Sequence, residues 1–267
     1  MNYKINILIT TFLRDNLLYK TLQSIVDNYN NCCKVLIADQ GYSDSEKDIT
    51  IDYYKSQISL EYYKLPFDCG LSYARNFLVQ KASEMNIPYC LVFADSLQFL
   101  QPYNFQPVID FLEEDKQRGL VGFLDEGRKC PWEYNMEITP TGIKFTESTE
   151  IIESNSFIVL NKEDEDSVAN RIKYLKVDIC NNLFLAKTNT LVDLWDNELK
   201  LGEHEDALLT YKKRGYEVYW TDSYVFKKYN GRNNEEYEDY RKRLQDYLKI
   251  FKQKYNMSGW VIYPPKK

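Results

Sequence analysis

His204 is the only histidine in this chain of 267 residues, and no two of its six cysteines stand in C-x-x-C spacing. A zinc site built from clustered His and Cys therefore has no support in the sequence. Cys32, Cys33, Cys69, Cys90, Cys130 and Cys180 are scattered, several inside apolar runs such as IPYCLVF. That distribution fits reduced, buried thiols in a cytoplasmic protein better than a disulfide frame. No stretch approaches the roughly 18 consecutive apolar residues of a membrane span. The opening MNYKINILITTF lacks the cationic start, long apolar core and small-residue cleavage site of a signal peptide. Neither GxGxxG nor GxxxxGKS/T occurs, so phosphate loops of the dinucleotide and Walker types are without support.

Charge is plentiful, at 28% of residues with a net of −6. It is unevenly spread. From Val225 onward eleven Lys/Arg stand against five Asp/Glu, so the tail is net +6 and the remainder −12. An acidic body argues against nucleic acid as the partner. The basic tail reads as a solvated helix of mixed charge, or as a surface for a phosphate or an anionic membrane.

The first hundred residues alternate between two periodicities. INILIT (5–10), KVLIAD (34–39), SLEYYKL (59–65) and YCLVFAD (89–95) read as strands. After Asp15, a plausible N-cap, Leu17, Leu18, Leu22, Ile25, Val26 and Tyr29 recur at helical spacing. LSYARNFLVQKASEM, after Gly70, does the same through Leu71, Ala74, Leu78 and Met85. Such alternation predicts a parallel sheet with helices on its faces and a ligand beyond the carboxyl ends of the strands. TTFLR, ADQG and ADS fall at those ends. Asp39 and Asp95 each close a buried strand, where an unpartnered acid is costly. Each could cap a turn or, with Arg75, meet a nucleotide.

Taken in order, ILITTFLR, IADQGYSD, CGLSYARNFLV, LVFADSLQF and GEHEDALLTYKKRGYEVYW resemble the motifs of the GT-A glycosyltransferases, above all the large inverting family 2. Residues 177–209 are similar to β-1,4-N-acetylgalactosaminyltransferases of the ganglioside-synthase kind. The resemblance implies one α/β domain with a mostly parallel central sheet. Its nucleotide half would be 1–100, its acceptor half 101–230, and its carboxyl-terminal helix and tail 231–267. It implies a UDP-sugar donor and a glycan or lipid-linked saccharide acceptor. Asp39 would then accept from the uracil imide, with Thr10, Thr11, Phe12 and Arg14 around the uridine. Gly70, Arg75, Asp95 and Ser96 would lie by the diphosphate. Asp206 would be the general base, with Glu205 or Glu203 gripping acceptor hydroxyls and His204 and Trp195 touching the acceptor.

Two features depart from the family pattern. Ala94-Asp95-Ser96 stands where relatives read DDD or DxD, and Lys227 and Lys228 lie near the place of a metal-binding histidine. A lysine ammonium can neutralise a leaving diphosphate as a divalent ion does. No obligatory metal is therefore expected, with Lys227 or Lys228 and Arg75 in its place. The alternative is Mn²⁺ or Mg²⁺ on Asp95 and the diphosphate. A degenerate sugar- or nucleotide-binding module and a sugar nucleotidyltransferase are the competing functions. Between the halves, EITPTGIKFTE (137–147) reads as a hairpin and ESNSFIVLNKEDED as a strand entering an acidic loop. Trp132 is a candidate sugar-stacking ring. In the tail, Tyr237, Tyr240, Leu244, Tyr247, Leu248 and Phe251 form a seam of one helix over 233–255. It packs on the body or touches an anionic membrane.

Overall fold

The structure is a computed structural model, and it describes residues 4–29, 33–126, 134–159, 169–229 and 235–259. Trp132, Cys32, Cys130 and the acidic loop after residue 159 lie outside the described residues.

Strand β1 (Ile5–Thr11) is buried at every position and pairs in parallel with β2 (Lys34–Asp39) and β4 (Tyr89–Ala94). β3 (Leu60–Lys64) extends the parallel set beyond β2. Strands covered on both faces need no polar alternation, which is why β1, β2 and β4 are nearly continuous apolar runs. Their period of two nevertheless sorts the core. Ile5, Ile7 and Ile9 pack with Leu18, Leu22 and Ile25 of α1 (Asp15–Tyr29) and with Ile51 and Tyr54 of α2 (Ser45–Gln57). Leu8, Leu36 and Ala38 face Ala74, Leu78 and Ala82 of α3 (Leu71–Glu84) on the other side. Burying such side chains contributes about 1.5–3 kcal/mol each before entropy is subtracted.

Beyond β4 the sheet becomes mixed. The order is β3-β2-β1-β4-β11-β6-β12-β10-β9, with β6 at Arg118–Glu126, β9 at Ile151–Val159, β10 at Ala169–Val177, β11 at Phe184–Lys187 and β12 at Glu217–Lys228. β11 runs antiparallel to both β4 and β6, and β12 is parallel to β6. The short β5 (Leu97–Phe99) pairs with the end of β12, and α4 (Gln106–Glu113) packs on β6. Strands β1, β2, β4, β6 and β12 therefore all end at one edge, which gathers Thr11, Asp39, Asp95, Asp125 and Lys228. The expected hairpin is present as β7 (Tyr134–Thr139) and β8 (Gly142–Glu147).

Helix α5 (Glu203–Lys213) begins after Gly202, which lies in the left-handed region at φ 72°. The tail differs from expectation. It is two helices, α6 (Glu235–Lys242) and α7 (Leu244–Lys254), which meet at Arg243. Leu248 and Phe251 of α7 are buried against the body, whereas no residue of α6 is. Among the described residues no helix is long and apolar enough to cross a membrane.

Candidate active site

A cavity of about 720 Å³ opens at the carboxyl edge of the strands, and α6 and α7 form its outer wall. Thr10, Phe12 and Arg14 reach it from the end of β1, Gly70 and Arg75 from the start of α3, and Asp95 and Ser96 from the end of β4. Glu203, His204 and Glu205 reach it from α5. Gly70 has no workable substitute. Its φ is 98°, and a Cβ there would meet Lys200 Cγ at 2.6 Å. Its N–H donates to Gln40 Oε1 at 2.7 Å.

Asp95 is fully buried. Thr11 Oγ1 donates to its Oδ2 at 2.9 Å, and Arg14 grips both oxygens through Nε and Nη2. Thr11 thus acts on Asp95 and does not line the cavity. On the alternative reading a divalent ion would sit on Asp95. The carboxylate that would hold it already faces a guanidinium on both oxygens. Among the described residues no three His, Cys, Asp or Glu side chains converge as a metal site.

Several expected contacts are corrected by the geometry. Asp39 does not line the cavity. Its oxygens accept from Gly41 N at 2.7 Å, Lys47 Nζ at 2.5 Å and the Tyr62 hydroxyl, so it is a buried structural acid with no face left for a uracil imide. Trp195 is buried behind Arg75, its ring 5.6 Å from that guanidinium, and holds Asn76 through its backbone. It touches no part of the cavity. Lys227 is exposed on β12, whereas its neighbour Lys228 lines the cavity with Asp125 at 3.9 Å. Arg75 forms a buried ion pair with Glu203. Burial alone would raise the Glu203 carboxyl, but Arg75 outweighs it and holds the group below its ordinary value.

The largest correction concerns the base. Asp206 is 1% exposed and lies outside the cavity. Tyr255 donates to it at 2.8 Å and Lys254 pairs with it at 2.8 Å, both from the end of α7. Successive helical residues point about 100° apart, so Glu205 and Asp206 cannot share a face. Glu205 is the one that meets the cavity. Burial, reinforced by the charge of Glu203, pushes its carboxyl up to about 7 against its backbone hydrogen bond.

Other cavity residues carry no sequence expectation. Asp125 ends the apolar run GLVGFLDE as Asp39 and Asp95 end theirs, and the same signal was legible there. Asp68 accepts from Arg243 at 2.7 and 2.9 Å and lies 3.4 Å from Lys200, joining three distant segments. Asn181 is 2% exposed, and its amide has no hydrogen-bond partner among the described residues.

Comparison with solved structures defines the class of the fold as GT-A. Staphylococcus aureus TarS residues 1–349 in complex with UDP-GlcNAc match with a TM-score of 0.58 at 14% identity, over 86% of this chain and 60% of that one. The mannosyltransferase PcManGT from Pyrobaculum calidifontis, with GDP-Man and Mn²⁺, gives 0.59 at 11% identity, over 93% and 62%. GalNAc-T7 with UDP, GalNAc and Mn²⁺ gives 0.58 at 14%, over 96% and 55%. Against a further TarS structure, the chain spans 36% of that protein's length. No curated protein matches the sequence. The family model of glycosyl transferase family 2 matches residues 6–171, well over half of the chain, and the chain belongs to that family.

Proposed function

We propose that this chain is an inverting glycosyltransferase that moves a hexosyl or N-acetylhexosaminyl group from a UDP-sugar to a hydroxyl of a glycan or lipid-linked saccharide. The observation that carries this reading is Glu205, a carboxyl on the cavity wall held near 7, where a general base works best. As the acceptor oxygen attacks the anomeric carbon, its proton passes to Glu205. The bond from that carbon to the diphosphate oxygen breaks, and the nucleotide leaves with the electron pair. One carboxylate suffices, because no covalent glycosyl intermediate forms. The similarity of residues 177–209 to N-acetylgalactosaminyltransferases favours UDP-GalNAc among the donors.

Cations of the chain stand in for a metal at the diphosphate. Lys228 is the natural candidate, since it lines the cavity from the end of β12 beside Asp125. Arg75, with Glu203 against it, is the weaker one. The seam of α7 is turned into the body at Leu248 and Phe251, which supports packing over membrane contact for that helix.

The test is release of UDP from a panel of UDP-sugars, with NMR of the product to read its anomeric configuration. β product from an α-linked donor is expected, and a retained configuration would exclude this mechanism. Turnover should persist in EDTA. Complete loss, restored by Mn²⁺, would overturn the lysine assignment.

A further inference from the structure

The cations on the cavity wall face acids, with one exception. Arg14 faces Asp95, Arg75 faces Glu203, Lys200 and Arg243 share Asp68, and Lys228 faces Asp125. Arg241, on the last turn of α6, lines the same cavity. It makes no hydrogen bond or ion pair with any described residue, including Glu238 three positions before it.

We propose that Arg241 binds the donor's diphosphate, so that α6 is a working wall of the substrate site. The inference rests on the nucleotide-sugar reading above. A nucleoside diphosphate brings about two negative charges, more than Lys228 alone can answer, into a cavity where Arg14, Arg75, Lys200 and Arg243 already face acids. Recruiting one of those means leaving its acid without a counter-charge in a place where burial makes that costly. Recruiting Arg241 costs only the ordering of an exposed side chain. Its planar fork matches two phosphate oxygens at once, which an ammonium cannot do.

The helix that carries it is fixed over the site. Tyr240 meets Phe12 edge-on at 5.0 Å, and Arg14 lies 4.7 Å from the Tyr237 ring. The Tyr42 hydroxyl donates to Glu236 at 2.7 Å, and the two Arg243–Asp68 hydrogen bonds close the joint with α7. Phe12, Arg14 and Asp68, which these contacts reach, all line the cavity, although α6 buries no residue of its own. A helix held in place by the mouth of a cavity, rather than by the core, is placed to touch what enters.

Calorimetric binding of UDP and of uridine, in EDTA, to the full chain and to R241Q, R241K and K242Q tests this. UDP should bind R241Q about tenfold more weakly than wild type, the loss of one charged hydrogen-bonding partner. Uridine should bind both alike. R241K should recover part of the loss, and K242Q, whose lysine pairs with Asp239 outside the cavity, should match wild type. Wild-type UDP affinity in R241Q would overturn the proposal, as would an equal loss of uridine, which would mean that α6 had merely shifted. A wild-type chain that binds no nucleoside diphosphate would instead bring down the nucleotide-sugar reading itself, and the proposal with it.

Discussion

The cavity wall and the contact between α5 and α7 treat two consecutive carboxylates in opposite ways. Glu205 faces the cavity with no cation against it among the described residues, and burial raises it to about 7. Asp206, one residue on, is enclosed by Lys254 and Tyr255 and serves to dock α7. A cation beside a buried carboxyl offsets part of the cost of burial and ties the group into the structure, whereas burial with no cation raises the carboxyl toward neutrality. The same contrast recurs within the first turn of α5, where Glu203 is held low by Arg75.

The sharpest way to break the comparison is to remove each carboxylate in turn. E205Q keeps the shape and hydrogen-bonding reach of the side chain but cannot accept the acceptor's proton. Its kcat should fall by about 10²–10⁴-fold, with UDP affinity retained. D206N should leave kcat within a few-fold of wild type and instead lower stability by about 1–3 kcal/mol, because Lys254 loses its counter-charge and one of the two accepting oxygens becomes an NH2 donor. Steady-state kinetics and urea unfolding on both variants separate the two roles. An Asp206 variant that unfolds normally yet has lost turnover would return the base to position 206.

How far the sequence reached follows from the same physics. Strands β1, β2 and β4 were legible because continuous apolar runs have one stable destination, the middle of a covered sheet. The cavity's location followed from the strand ends. Which acid faces the cavity was not legible, because it depends on partners brought by tertiary folding. The Asp39 carboxylate is answered by Lys47 on α2 and Tyr62 on β3, and Asp206 by Lys254, 48 residues away. Motif order placed these acids at the correct edge but could not tell a docked carboxylate from a working one. The tail failed for a local reason. Its apolar seam is continuous through position 243, yet Arg243 turns to chelate Asp68, and the helix breaks there.

The pH dependence of stability is the effect most specific to the raised Glu205. The carboxyl titrates near 4.5 in the unfolded chain and near 7 in the folded one. Between those values the folded chain keeps a proton that the unfolded chain has released. Stability contributed by this group therefore falls as pH rises through the window from about 4.5 to 7, and levels off above it. In E205Q the window disappears. Urea midpoints of the two proteins should thus converge or cross between pH 5 and pH 8, the wild type losing ground relative to E205Q as pH rises. Midpoints that run parallel across that range would mean that Glu205 titrates as an ordinary surface carboxylate. The difference between the cavity wall and the α5–α7 contact would then lie in geometry alone, not in protonation.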